Sequence, residues 1–248
     1  TVEGLSFDVP PGSIVGIIGP SGSGKTTLVR GILGTWACRE GAIRIDGVET
    51  TQYRRADLGP NLGYLPQDIE LFDGTISENI ARFEAVDSEA VIRAARDAGV
   101  HNLILELPEG YDTKIGPEGH QLSAGQRQRI ALARAIYRRP KIVILDEPNS
   151  NLDEAGEQAL HRAIWMLRKQ GSTVLIVSHR KQILGLTNIL MLMVRGRLES
   201  WGQRGDVLNY IEEKSKEANS AASSPRTEDR SAALGSDDSS ALAGEANE

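Results

Sequence analysis

The sequence predicts an α/β fold: a parallel sheet with helices between its strands, an antiparallel β subdomain beside it, and an inserted helical subdomain. Three features of the chain carry the parallel sheet and its helical insertion. Short apolar runs at 14–18, 142–145 and 173–177 have the length and composition of buried strands. Between the first of these and a helical pattern at 26–33 lies Gly19-Pro20-Ser21-Gly22-Ser23-Gly24-Lys25-Thr26. From about 76 to 125 the chain is mostly helical, where strand and helix otherwise alternate.

The glycine-rich stretch fits Gly-x-x-x-x-Gly-Lys-Ser/Thr, the phosphate-binding loop of nucleotide hydrolases, and its strand-loop-helix setting is the right one. The core is therefore expected to be that of a P-loop NTPase. Glycines let such a loop turn tightly and aim several N–H groups inward, a nest for oxyanions. The helix starting there adds unpaired N–H groups and the positive end of its dipole. Lys25 can reach the β- and γ-phosphates, and the Thr26 hydroxyl can ligate Mg²⁺.

Composition narrows the class. Forty per cent hydrophobic residues in 248 suffice for a sizeable core. The single cysteine, Cys38, rules out an internal disulfide and reads as a packing or loop residue. No apolar run approaches the roughly 20 residues that span a bilayer, and no signal peptide is visible. Of the net charge of −6, residues 211–248 carry nine acids against four bases, leaving a nearly neutral body. That argues against a nucleic-acid partner, which needs a basic patch.

Along the chain, 5–9 alternates as a half-exposed strand and Pro10-Pro11-Gly12 forces a turn. Gly34 stops the helix after the phosphate loop. Residues 42–47 and 62–65 read as strands, the second halted by Pro66 before Gln67 and the loop 68–74. Asp87 is a helix N-cap for 90–98, and a further helix runs from 101 to 107. Ser123 is the N-cap of a helix reaching about 138. The strand at 142–145 ends in Asp146 and Glu147, and in open α/β sheets ligands sit outside the carboxyl ends of strands. A long helix over 153–170 stops at Gly171, and the strand 173–177 ends at Ser178 and His179, on the same edge. Residues 189–194 and 197–201 form a hairpin about Arg195-Gly196. A last helix spans 205 to about 216, and 217–248, poor in large apolar residues, is expected to be disordered.

Taken together, these residues resemble the ATP-binding cassette family over roughly 1–212, with its markers in their order: the phosphate loop, Gln67, the signature Leu122-Ser123-Ala124-Gly125-Gln126, the acid-ended strand 142–147, the turn Asn149-Ser150-Asn151-Leu152-Asp153, and His179. The wording of 64–80 is similar to exporter-type cassettes, and with Asp146-Glu147-Pro148-Asn149-Ser150-Asn151-Leu152-Asp153 it looks most like type I protein-secretion ATPases that export proteases. The resemblance implies one ATP-binding domain over 1–212 with a helical subdomain at about 76–138, followed by an acidic tail at 213–248. It also implies a membrane domain ahead of the cassette on a longer chain. Thr1 is not a natural start, so this is read as the nucleotide-binding part of a half-transporter.

What the resemblance implies for the site is specific. Two cassettes close head to tail over two ATP molecules. Each nucleotide lies on Gly19, Pro20, Ser21, Gly22, Ser23, Gly24, Lys25, Thr26 and Thr27 of one subunit and on Ser123, Gly125 and Gln126 of the other. Asp146, with Thr26 and Gln67, attends Mg²⁺. Glu147 polarises the attacking water as general base, and a carboxylate buried beside phosphate charge would have a raised pKa suited to that role. His179 contacts the γ-phosphate, Lys25 neutralises it, Gln67 senses it, and Asp153 works across the dimer interface. The implied partners are a second cassette, a transmembrane domain, a periplasmic adaptor and an outer-membrane channel, at the cytoplasmic face of a bacterial inner membrane. Two departures stand out. Ala124 replaces the family's usual glycine, which costs little at negative φ and obstructs at positive φ. The aromatic residue that stacks on adenine lies upstream of Thr1.

The alternatives are a soluble cassette ATPase acting on nucleic acid or ribosomes, a P-loop kinase, an exporter of lipid or small molecules, and an importer subunit. A kinase has no use for the set of Gln67, Ser123, Gln126 and His179, and nothing in the chain reads a transported substrate.

Overall fold

Alternation of side chains along short apolar strands builds the core. The computed structural model describes residues 2–116 and 122–223. Strands β1 (Ile14–Ile18), β4 (Leu62–Leu65), β7 (Ile142–Asp146), β8 (Thr173–Val177), β9 (Ile189–Val194) and β10 (Arg197–Gln203) form one six-stranded sheet in the order β10-β9-β1-β8-β7-β4. All neighbours in it run parallel except β10, which returns antiparallel on β9. Ile14, Val143, Leu145, Val174 and Ile176 point into one core. Val15, Ile17, Ile144, Leu175 and Val177 point into a second, on the other face. The period of two along each strand thus feeds both layers.

Helices cover each face. On the second core lies α1 (Lys25–Ile32), through Leu28, Val29 and Ile32. The first core takes α3 (Ile76–Ile80), α4 (Ser88–Asp97), α5 (His101–Leu105), α6 (Ala124–Ile136) and α7 (Glu154–Lys169), through residues such as Ile80, Val91, Ile104, Ile130 and Leu160. The mostly helical stretch therefore shares its apolar interior with the sheet. Short antiparallel pairs complete the pattern: β2 (Arg44–Ile45) with β3 (Val48–Glu49), and β5 (Gly74–Thr75) with β6 (Lys114–Ile115). Remaining short helices are α2 (Arg55–Leu58) and α8 (Lys181–Leu184).

Sequence signals place most ends. Gly34 (φ 70) terminates α1 and Gly171 (φ 78) follows α7. Asp87 caps α4 by accepting from Ala90 N at 3.0 Å. Three expectations need correction. Residues 5–9 form no strand: Leu5, Phe7 and Val9 alternate inward as expected and pack on the second core, but no ladder pairs with them. Periodicity reports which side chains are buried, and a strand also needs a neighbouring backbone. The helix expected to reach about 138 ends at Ile136, because Arg138 and Arg139 adopt left-handed φ of 57. The last helix, α9 (Arg204–Ser223), outruns the expected end at 216. Residues 217–223 contain neither Gly nor Pro, and the first breaker in the sequence is Pro225. The rest of the expected disordered tail, 224–248, lies outside the described residues.

The chain divides into two compact units, Thr1–Ile211 and Glu212–Glu248. In the second, the described part is the continuation of α9, with a Lys214–Glu217 ion pair at 3.4 Å. No described helix is long and apolar enough to cross a membrane.

Two contacts fix α6 against β4. A Cβ on Gly63 would lie 2.0 Å from the Ala135 carbonyl oxygen, so only glycine admits the helix at this distance. Arg82, itself at φ 60, donates to the Gly59 (2.8 Å), Leu62 (3.1 Å), Arg134 (2.9 Å) and Ala135 (3.0 Å) carbonyls. Burial pushes its pKa down, while the carbonyl end of α6 favours its charge. Gly63→Ala should cost about 1–3 kcal/mol through overpacking, read as a lower Tm in thermal unfolding. An unchanged Tm would show that α6 can retreat without loss.

Candidate functional site

The parallel sheet brings four strand ends to one edge. Ile17 pairs with Val177, Val177 with Asp146, and Leu65 with Leu145. The segments that leave these strands are the phosphate loop after β1, Gln67 after β4, Asp146-Glu147 at the end of β7, and Ser178-His179 after β8. Sequence reading expects the loop, the acid pair and His179 on one edge, and the register sets level the ends of the strands that precede them.

The loop between β1 and α1 uses three glycines at positive φ: Gly19 (149), Gly22 (75) and Gly24 (95). A Cβ on Gly19 would fall 2.1 Å from the Met193 carbonyl oxygen. At the N-terminus of α1 no side chain caps the free N–H groups, which leaves them for an anion. Lys25 is buried, and its Nζ donates to the Gly19 and Pro20 carbonyls at 2.9 and 3.0 Å and to Ser23 Oγ at 3.5 Å. Burial pushes the Lys25 pKa down, opposed by the carboxylates of Glu147 and Asp146. Its ammonium therefore stands over the loop's own oxygens, within the field of both acids. Pro20, Ser21 and Thr26 are exposed, and Thr27 is half-buried.

Asp146 is buried, and its Oδ2 has no hydrogen-bond partner among the described residues. Burial, then the neighbouring charge of Glu147, pushes its pKa up to about 6, against the pull of Lys25. A buried carboxylate oxygen without a partner, at the edge that carries the Thr26 hydroxyl, fits a hard cation that takes its other ligands from phosphate and water. Glu147 is partly exposed, sits at a left-handed φ of 48, and lies 3.3 Å from His179 Nε2 through its Oε1. His179 and Gln67 are exposed on the same edge. Among the described residues no group of three or more His, Cys, Asp or Glu could hold a metal by itself.

The signature residues stand apart from this cluster. Ser123 caps α6 in a capping box: its Oγ accepts from Gln126 N at 3.2 Å and its N–H donates to Gln126 Oε1 at 2.8 Å. Ala124 is the first helical residue and has negative φ, so alanine fits there without backbone strain. Ser123, Gly125, Gln126, Arg129, Asn151 and Asp153, with Leu103, line a depression of about 320 Å³. No residue of the phosphate loop takes part in it. Asp153 caps α7 by accepting from Gly156 N at 2.8 Å and pairs with Arg129, and these bonds hold its carboxyl below the usual range.

Sequence reading missed Arg129 and Gln128. Gln128 is buried and reaches the backbone of the turn after β7, where Nε2 donates to the Glu147 and Pro148 carbonyls and Oε1 accepts from Asn151 N. One signal was available: Gln128 precedes Ala131, Leu132 and Ala135 by three, four and seven residues, a polar residue at core spacing.

A family model described as ABC transporter matches residues 2–150. The chain is 51% identical over 211 residues to the type I secretion system ATP-binding protein PrsD of Rhizobium meliloti (strain 1021), which covers 85% of this chain and 36% of that protein. It is 38% identical over 208 residues to the ATP-dependent lipid A-core flippase of Burkholderia pseudomallei (strain 1710b), covering 84% of this chain and 35% of the flippase. Among solved structures, a bacterial Atm1-family ABC exporter with ATP bound superposes with a TM-score of 0.79 at 33% identity, over 92% of this chain and 40% of the exporter chain. The chain thus spans little more than a third of the length of these curated relatives.

The raised pKa of Asp146 carries a stability consequence. The folded state holds its proton more tightly than the unfolded state, so the group stabilises the fold below about pH 3.8 and that contribution is lost as pH rises through about 6. Without nucleotide or Mg²⁺, Asp146→Asn should raise Tm at pH 7, by the equivalent of roughly 1 kcal/mol or more. The gain should shrink toward zero between pH 6 and pH 4. An asparagine variant that melts lower at pH 7 would contradict the burial penalty.

Proposed function

The chain belongs to the ABC transporter family, and on that premise we propose that it is the ATP-binding and ATP-hydrolysing part of an exporter, most like those of type I protein secretion. The observation that carries the reading is the separation of two half-sites within one chain. Lys25, Asp146, Glu147 and His179 gather at the sheet edge, while Ser123, Gly125, Gln126 and Asp153 line a different depression. Each half binds phosphate in its own way, through a glycine nest at a helix start in the first and a capped helix N-terminus in the second. Two chains placed head to tail bring one of each together over a nucleotide.

In this reading the loop of Gly19, Pro20, Ser21, Gly22, Ser23, Gly24 and Thr27 holds the phosphates. Lys25 leaves its carbonyl partners for the β- and γ-phosphate oxygens and neutralises charge there. Asp146, Thr26 and Gln67 hold Mg²⁺, which supplies further neutralisation of the phosphate oxygens when bound. Glu147 takes a proton from water as that oxygen bonds to the γ-phosphorus and the bond to the β–γ bridging oxygen breaks. ADP leaves with the bridging oxygen, and the proton passes on to the phosphate product. His179 orients Glu147 through their 3.3 Å contact and meets the γ-phosphate. Ser123 and the Gly125 N–H of the second chain reach the same phosphate, with Gln126 and Asp153 at the interface. Phosphoryl transfer asks the protein mainly for position and charge, which is what these groups offer.

Protein secretion is favoured by the 51% identity to PrsD and by the wording of 64–80 and 146–153. A lipid exporter is the second reading, supported by the 38% identity to the lipid A-core flippase. Under either, a transmembrane domain and a second cassette are the partners, and the inner membrane's cytoplasmic face is the location. The periplasmic adaptor and outer-membrane channel belong to the secretion reading alone.

Mg²⁺-dependent ATP hydrolysis should rise more steeply than linearly with chain concentration, since two chains form each site. Glu147→Gln should lower turnover about a hundredfold or more while retaining ATP and shifting the chain to a dimer in size-exclusion chromatography. Turnover per chain independent of concentration would refute the composite site. Parent-rate hydrolysis by the variant would refute the base assignment.

A further inference from the structure

We propose that Gln128 is a positioning residue for Glu147: from its place on α6 it holds the turn that aims the catalytic carboxylate. The inference rests on the reading of Glu147 as general base. Glu147 occupies a left-handed φ of 48, a conformation that is unfavourable for a residue with a side chain and persists only where the surroundings impose it. On one side the Glu147 N–H donates to the Val177 carbonyl at 2.9 Å, which anchors it to β8. On the other side its carbonyl accepts from Ser150 N at 3.3 Å, a bond internal to the same turn.

The link from that turn to a separate helix is Gln128. Its Nε2 donates to the Glu147 carbonyl at 3.4 Å and to the Pro148 carbonyl, and its Oε1 accepts from Asn151 N at 2.9 Å. One amide therefore grips the turn at three points between 147 and 151. The chemistry is selective for glutamine: an NH₂ group faces two acceptors and an oxygen faces a donor, at this length of side chain. Asn149, in the middle of the turn, does not share the task. It is buried, and neither of its side-chain polar atoms has a hydrogen-bond partner among the described residues. Gln128 is 1% exposed, so water does not compete for these bonds. It also lies only one and a half turns along α6 from Ser123. The helix that presents the signature thereby sets the backbone of the base.

The test uses the 248-residue chain. Gln128→Met keeps the length and removes both hydrogen-bonding roles. It should lower kcat about tenfold or more, leave the affinity for a fluorescent ATP analogue within about twofold, and speed exchange of the Asn151 amide proton about tenfold or more in the nucleotide-free chain. Combined with Glu147→Gln, it should reduce the residual rate no further, because a residue acting only through Glu147 has nothing left to act on. Parent kcat in a folded Gln128→Met chain, or losses that multiply in the double variant, would overturn the proposal. Should Gln128→Met fail to fold, Gln128→Glu keeps the acceptor for Asn151 and removes the donor to the carbonyls. The same loss of kcat is then expected, and parent kcat would overturn it. Glu147→Gln alone reads the base assignment separately, through its own rate.

Discussion

Parallel pairing of β1, β8, β7 and β4 is the constraint on which the site depends. In a parallel sheet all strands end on one edge, and the register Ile17–Val177–Asp146 brings three of those ends level. Residues separated by more than a hundred positions in the chain are thereby placed side by side. The branched apolar strands serve this twice. They fill both core layers through their two faces, and their rigidity fixes where the polar ends lie. A phosphate loop on a flexible scaffold would not keep Lys25 within the field of both Asp146 and Glu147.

Charge at that edge is held in a poised arrangement. One ammonium, partly desolvated, faces two carboxylates, and burial raises the pKa of one of them to about 6. Without ligand, buried Asp146 keeps an oxygen that has no hydrogen-bond partner among the described residues, and the cost of burying it is borne by the apolar core beneath. The uncapped N–H groups at the start of α1 favour negative oxygens, and the buried carboxylate of Asp146 favours positive charge brought beside it. Preorganisation here is an electrostatic property of the ligand-free fold.

The helix α6 touches both the turn after β7 and the depression lined by Ser123 and Gln126. Its C-terminal end is locked on β4 through Gly63 and Arg82, its middle grips the turn after β7 through Gln128, and its N-terminal end carries the Ser123–Gln126 capping box. The approach at Gly63 leaves no room for a methyl group, so the helix cannot slide freely along the strand.

Chain chemistry alone settled the short-range features. The phosphate loop, the caps Asp87 and Ser123, the stops Gly34 and Gly171, and the buried strands each depend on residues within a few positions of one another, and local sterics or hydrogen bonding decide them. The placing of the phosphate loop, Asp146-Glu147 and His179 on one edge was also legible, because parallel strands allow one arrangement of their ends. Pairing and approach were not. Residues 5–9 have strand periodicity yet meet no ladder, Asp146 acquires its raised pKa from what surrounds it, and Gln128 looks like one more polar residue in Gln126-Arg127-Gln128-Arg129. Each of these depends on which distant backbone lies opposite, a long-range contact that no local pattern encodes. That is why the residues at the carboxyl ends of the strands could be named from the chain, while the glutamine that grips the turn after β7 emerged only once α6 was set against that strand.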